Sequence, residues 1–324
     1  MNVIISHELP DEWISAVTCK YPSTLVGPST LENPTLTDEL RAALATADGL
    51  LTMLTVKVDQ ALLDLAPNLK IVSQMAVGVN NINLKACAAR SIPVGHTPGV
   101  LTDATADVAM TLMLATARRL PEATADAREG RWGAWNPIQW LGTDLAGSTL
   151  GIVGMGAIGQ ATARRAKAFG MRVVYHSRSQ YPEIEAELAA EKLPLNDLLA
   201  QSDFVSLHTP LTAETTHLID ASALKAMKRS AILINTARGE VVDQDALIAA
   251  LQNGDIQAAG LDVTTPEPLP TNNPLFKMPN CLVLPHIGSA TQRTRQRMAE
   301  LACENLLLGL EGKPLKHDAT ANLK

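Results

Sequence analysis

Gly154-Met155-Gly156-Ala157-Ile158-Gly159 follows the apolar run Thr149-Leu150-Gly151-Ile152-Val153 and precedes an Ala/Arg/Lys-rich stretch, Gln160 to Phe169, that stops at Gly170. Strand, glycine turn and helix in this order are the context in which a G-x-G-x-x-G spacing marks a dinucleotide site rather than an ordinary loop. Gly154 permits the tight turn, Gly156 lets the backbone approach a pyrophosphate, and Gly159 lets helix and strand pack closely. Ala157 and Ile158 open the helix, whose exposed N–H groups and positive end would hold the phosphates.

The next strand decides which dinucleotide. Arg172-Val173-Val174-Tyr175-His176 reads as that strand, and NAD-binding domains usually end it with an acid that accepts from the ribose 2′-OH. Here it runs into Ser177-Arg178-Ser179, with no acid. A guanidinium can bind a 2′-phosphate bidentately, which a carboxylate would repel. The plainer reading of Arg178 is a solvated loop residue; the missing acid favours NADP(H) over NAD(H).

The chain's 324 residues suffice for two domains with separate cores. An apolar share of 46% suits a folded Ala/Leu/Val-rich protein. The net charge of −6, without a basic block, argues against nucleic acid as the main partner. No apolar run approaches a membrane span, so no membrane partner is expected. Met1 to Ser6 lacks a charged n-region and reads as a strand, and Cys19, Cys87, Cys281 and Cys303 show no metal or redox spacing. A cytoplasmic protein with reduced thiols and no metal is the expectation.

Upstream, strands are expected at Val3 to Ser6, Gly49 to Leu54 and Lys70 to Met75. Helices are expected at Glu12 to Lys20, Asp59 to Ala66 and Leu84 to Ala89. Such alternation implies a parallel sheet covered by helices. Thr102 to Leu120 reads as a long helix that Pro121 ends or bends. Trp132, Trp135 and Trp140 follow outside any regular period, which suits a partner surface. After the glycine motif, strands are expected at Phe204 to His208, Ala231 to Asn235, Ala258 to Val263 and Cys281 to Leu284. The tail, Thr291 to Leu310, reads as a helix returning to the first domain.

The expected fold is therefore α/β, two Rossmann-like domains with parallel sheets and the active-site cleft between them. Residues 1–99 plus 288–324 would form a discontinuous substrate domain, and 100–287 the cofactor domain, with a dimerisation arm at 121–145.

Three polar features sit at late strand ends, where α/β sheets place ligands. Arg238, in Asn235-Thr236-Ala237-Arg238-Gly239, can clamp a carboxylate with two parallel hydrogen bonds. Glu267 is held between Pro266 and Pro268, a stiff setting for its carboxylate. His286, in Pro285-His286-Ile287-Gly288-Ser289, is a natural proton donor for carbonyl reduction near neutral pH. Each alone has a duller reading: a strand cap, a solvated acid, a structural histidine. Together, downstream of a nucleotide motif, they point to catalysis.

These stretches, with Ala259-Gly260-Leu261-Asp262-Val263, make the chain resemble the D-isomer-specific 2-hydroxyacid dehydrogenases over nearly its whole length. Within that family it is most similar to the glyoxylate/hydroxypyruvate reductase branch, by Leu261 to Asn272 and by His286 to Thr291 with Arg293-Thr294-Arg295. The resemblance implies that Arg238 binds the substrate carboxylate and keto oxygen and that His286 donates the proton. Glu267 would hydrogen-bond His286 and raise its pKa, and Asp262 would position the nicotinamide carboxamide. It implies backbone amides of Val77 and Gly78 on the substrate carboxylate. Gly156 to Ile158 and Ser177 to Ser179 would meet pyrophosphate and ribose, and Pro210 and Thr236 the nicotinamide side. Gly288 and Ser289 would meet cofactor and substrate. Many relatives carry an Asp two residues after the loop glycine; here Asn80-Asn81 removes that charge. Met53, Leu54 and Trp140 either wall a small pocket or serve core and dimer packing.

The function expected is NADPH-dependent reduction of small 2-oxo acids, glyoxylate and hydroxypyruvate, by a homodimer. The alternatives are a reductase of 2-ketogluconate or another 2-keto acid, and a dinucleotide-sensing binding module.

Overall fold

The computed structural model describes residues 1–28 and 36–321. Among the described residues twelve strands fall in two separate sheets, and every pairing within them is parallel. The first contains β1 (Val3–Ile5), β2 (Leu25–Val26), β3 (Gly49–Thr52), β4 (Ile71–Gln74) and β5 (Val94–Gly95), in the order β2-β1-β3-β4-β5. The second contains β6 (Thr149–Val153), β7 (Arg172–His176), β8 (Glu191–Lys192), β9 (Phe204–Leu207), β10 (Ile232–Asn235), β11 (Ala258–Leu261) and β12 (Cys281–Val283). Its order is β12-β11-β10-β9-β6-β7-β8. Both are doubly wound orders, and each reverses at one point: between β1 and β3, and between β6 and β9.

The chain divides into two compact units, 1–101 with 291–324, and 102–290. In the second unit, successive strand residues feed opposite cores, as the pleat requires. Val153, Val205 and Leu233 pack with Leu198, Leu224 and Leu247 on one side. Ile152, Phe204 and Ile232 pack with Leu112, Met113 and Ala163 on the other. Strands buried on both faces read as unbroken apolar runs rather than alternating ones, which is how these strands read in sequence.

In the first unit the helix Gln292–Leu310 lies on the sheet. Its contact is close because glycines permit it: a Cβ at Gly309 would sit 2.6 Å from Ile71, and one at Gly49 3.1 Å from Leu306. Ser73 Oγ of β4 donates to Ala302 O at 2.7 Å, a non-local tie that no local pattern reveals. Thr291 caps this helix by accepting from Thr294 N at 3.1 Å.

The helix expected over Thr102 to Leu120 runs over Thr102–Ala117, and a second helix, Leu120–Arg128, follows it. The break is at Arg119, whose φ of +53° leaves the helical region. Pro121 thus stands in the first turn of a second helix, where its missing N–H costs no hydrogen bond. Arg119 closes the corner by donating twice to Glu122, at 2.9 and 2.8 Å. Among the described residues no helix is long and apolar enough to cross a membrane.

At the reversal of the second sheet, β6 runs into Gly154, whose N–H donates to His176 O at 2.8 Å. Gly154 has φ +100°, and a Cβ there would lie 2.7 Å from the His208 carbonyl carbon. A Cβ at Gly159 would lie 2.2 Å from Gly154 O, whereas one at Gly156 would meet nothing within 4 Å. Replacing Gly154 or Gly159 by alanine is therefore expected to cost about 2 kcal/mol or more. Gly156→Ala should leave thermal unfolding nearly unchanged. Equal losses of Tm in all three variants would refute this division of roles.

Candidate active site

The polar groups gather at the carboxyl ends of β10, β11 and β12. Beyond β10, the Asn235 side chain shapes the turn: Nδ2 donates to Arg238 O at 2.9 Å and Oδ1 accepts from Ala237 N at 3.0 Å. Gly239 lets this turn lie against the loop after β11, since a Cβ would meet Thr264 O at 2.1 Å. Arg238 Nη1 donates to Ala237 O at 2.7 Å. Burial pushes the Arg238 guanidinium below its ordinary value, against the pull of the Glu267 and Glu240 charges.

Glu267 is fixed from its own loop. Thr264 N donates to its Oε1 at 3.0 Å, and Thr264 Oγ1 donates to Pro266 O at 2.9 Å. Gln244 brackets Thr265, donating to its carbonyl at 2.6 Å and accepting from its N–H at 3.0 Å. Burial raises the Glu267 carboxyl, but His286, Thr264 N and the Arg238 charge outweigh it and hold the group below its ordinary 4.5.

His286 Nδ1 lies 2.8 Å from Glu267 Oε2. An ionised carboxylate only accepts, so Nδ1 carries a proton and Nε2 is the nitrogen left for a ligand. The backbone there is left-handed, φ +55°. Asp262 holds that turn: its carbonyl accepts from His286 N at 3.0 Å. Its Oδ1 and Oδ2 accept from Ile287 N and Gly288 N, each at 2.7 Å. Only 2% of Asp262 is exposed, and burial drives its carboxyl upward against these bonds and the His286 charge. Gly288 is buried, and a Cβ there would lie 3.0 Å from Asp262 Oδ2; Ser289 follows, half-buried.

The glycine turn and the ends of β7, β9 and β10 form a second group. Ser177 is half-buried, and Arg178 and Ser179 are exposed beyond β7. Thr236 Oγ1, Thr209 Oγ1 and His208 Nδ1 are buried without a hydrogen-bond partner among the described residues. His208 Nε2 meets Ser206 Oγ at 2.9 Å, and burial pushes this imidazole down to about 3. Pro210 stands exposed just after them. Unpartnered donors and acceptors beside an open helix start, at the switch point of the sheet, fit a dinucleotide. His208 and Thr209 were missed in the sequence; the signal was the polar run His208-Thr209-Pro210 ending an apolar strand.

The first unit brings Val77, Gly78 and Met53 together on the loops after β4 and β3. Asn81 links the loops: its Nδ2 donates to Met53 O at 3.2 Å and to Val56 O at 2.7 Å. Its Oδ1 accepts from Gln74 Nε2 at 2.7 Å. The Arg119 guanidinium stands 5.1 Å from the ring centre of Trp140. Trp132 and Trp135 are 79% and 85% exposed.

The family described as D-isomer specific 2-hydroxyacid dehydrogenase, NAD binding domain, matches residues 110–288. This chain belongs to that family. It is 48% identical to the glyoxylate reductase of Thermococcus litoralis over 317 residues, covering 96% of this chain and 94% of the relative. The TT0316 protein from Thermus thermophilus superposes with a TM-score of 0.91 at 47% identity, over 98% of this chain and 100% of that one. The NADPH-dependent glyoxylate/hydroxypyruvate reductase of Sinorhizobium meliloti, solved with NADP and malonate, gives 0.83 at 32% identity, over 98% and 97%. The protein is an oxidoreductase of the 2-hydroxyacid dehydrogenase type, similar in sequence to glyoxylate and hydroxypyruvate reductases.

Because Glu267 titrates below 4.5, its pair with His286 is intact above that pH and is lost as pH falls through the lowered value. The wild-type Tm should therefore fall on acidification in that window. Glu267→Gln should flatten this part of the Tm–pH curve, and superimposable curves would show that the pair contributes nothing to it.

Proposed function

We propose that the protein reduces small 2-oxo acids, glyoxylate and hydroxypyruvate foremost, with NADPH, and that His286 is the proton donor. The observation that carries this reading is the 2.8 Å contact between His286 Nδ1 and Glu267 Oε2. It commits Nδ1 to the carboxylate and leaves Nε2 for a forming alkoxide. The bound dinucleotide supplies the hydride. Arg238 binds the substrate carboxylate and keto oxygen, and its positive charge stabilises negative charge developing on that oxygen. Asp262 holds the His286 turn by the two amides at 2.7 Å, so the ring need not reorganise as it gives up its proton. Val77 and Gly78 of the first unit supply backbone amides to the carboxylate, with Met53 and Ser289 as further substrate contacts.

Several features support NADP(H). Beyond β7 an arginine between two serines stands where a carboxylate would serve the 2′-OH, and a reductase of the same family is named for NADPH. Gly154, Gly156, Ala157, Ile158 and Gly159 take the pyrophosphate, Pro210 and Thr236 the nicotinamide side, with Asp262 and Gly288 beside it. Residues 1–99 with 288–324 act as the substrate domain, and 100–287 as the cofactor domain. Trp132, Trp135, Ile138 and Leu141, all more than half exposed, favour a second copy of the chain on the 121–145 arm, with Trp140 reaching the partner copy's site as a substrate contact.

Oxidation of NADPH followed at 340 nm should be fastest with glyoxylate and hydroxypyruvate and slower with 2-ketogluconate or pyruvate. His286→Ala should cut kcat by about 10²- to 10⁴-fold while NADPH still binds. Unchanged turnover would remove His286 from the mechanism, and a preference for 2-ketogluconate would overturn the substrate assignment. Arg178→Ala should raise KM for NADPH about tenfold or more and leave that for NADH nearly unchanged. Equal effects on both cofactors would overturn the 2′-phosphate role.

A further inference from the structure

The loop after β4 has an unusual arrangement of carbonyls. The Ala76 carbonyl accepts from Thr97 N at 2.9 Å. The Val77 carbonyl meets His96 Nδ1 at 3.1 Å. The Gly78 carbonyl accepts from Gln74 Nε2 at 3.4 Å. Three successive peptide units are thus held by their oxygens, two of them from His96-Thr97, directly after β5. Among the described residues, the N–H groups of Val77 and Gly78 donate to no protein group. In a planar trans peptide the N–H points away from the carbonyl, so each held oxygen turns the N–H of the following residue away from the group that holds it and leaves it available to an anion.

We infer that His96 is the positioning residue for substrate carboxylate binding, acting through the Val77–Gly78 peptide. This rests on the assignment of the Val77 and Gly78 amides to the carboxylate. A carbonyl oxygen only accepts, so Nδ1 of His96 must carry the proton. That bond sets the plane of the peptide whose N–H belongs to Gly78. It also draws electron density toward the carbonyl oxygen and makes the N–H a stronger donor. The rest of the His96 environment keeps the ring in place. The His96 N–H donates to His317 O at 3.3 Å, and the His317 ring stands edge-on with centroids 6.1 Å apart. Asn305 Nδ2 donates to His96 O at 3.1 Å, and Asn305 Oδ1 accepts from Lys316 N at 3.0 Å. The C-terminal helix and the segment after it therefore support a ligand loop more than two hundred residues earlier in sequence, as the span from His96 to Asn305 shows. Burial lowers the His96 pKa, which keeps the neutral, Nδ1-protonated ring in use at neutral pH.

The two amide side chains separate this role from bulk packing. Asparagine places its Nδ2 the same number of bonds from Cβ as His Nδ1, whereas the glutamine amide reaches toward the Nε2 position. His96→Asn, His96→Gln and His96→Phe would be compared for KM with glyoxylate, kcat, NADPH affinity by fluorescence, and binding of oxalate to the NADP-loaded enzyme by calorimetry. His96→Gln and His96→Phe should raise KM and weaken oxalate about tenfold, with NADPH affinity within twofold and kcat less affected than KM. His96→Asn should recover most of the loss. If His96→Gln and His96→Asn behave alike, or His96→Phe keeps the parent KM, the inference fails while the 2-oxo acid reading stands. A parent enzyme that neither reduces glyoxylate nor binds oxalate overturns that reading and this inference with it.

Discussion

The approach of three backbone segments at the β6–β9 reversal is the constraint on which the second unit depends. Gly159 must come close to the Gly154 carbonyl, and Gly154 must back onto His208 with φ +100°. Any Cβ at either position would force the helix Ala157–Ala168 away from the sheet. Its first N–H groups would then no longer point into the space above the reversal, where Gly156 leaves room. The two cores on either side of the sheet, the strand ends of β9 and β10, and the unpartnered Thr209 and Thr236 hydroxyls are all arranged around that corner.

A second constraint is electrostatic. Arg238, Glu267, His286 and Asp262 are four ionisable groups on three neighbouring strand ends, partly or fully removed from water. Desolvation alone would push Arg238 down and both carboxyls up. The arrangement resolves this unevenly. Glu267 receives Thr264 N, His286 and the nearby guanidinium and stays anionic. Asp262 takes two backbone amides and remains raised. One carboxylate therefore serves the imidazole and the other serves the backbone that carries it. The left-handed backbone at His286, costly for a side chain of that size, persists because Asp262 holds it from both its carbonyl and its carboxylate.

The sequence by itself determined the fold class. Apolar runs of four or five residues, punctuated by glycine and alternating with helical stretches, admit little besides buried parallel strands; β1, β3, β4, β6, β7 and β9 to β12 follow them within one or two residues, whereas the two-residue strands β2, β5 and β8 carry too short a run to be read. It also singled out Arg238, Glu267 and His286, because strand ends after a glycine-rich phosphate motif are where polar residues have a chemical reason to stand. These signals are local, carried by spacing along the chain. What only the tertiary structure decided is non-local. The left-handed turn at Arg119 ends the first helix at Ala117 and a further helix, Leu120–Arg128, follows, since a left-handed residue before a first-turn proline is not encoded by periodicity. The pairing of Asp262 with the amides of Ile287 and Gly288, and of Asn81 with Met53 and Val56, depends on which strand ends become neighbours. The same holds for His96 and the Val77 carbonyl. Hydrogen bonds between loops leave no period in the sequence, because sheet order, rather than chain order, sets which loops meet.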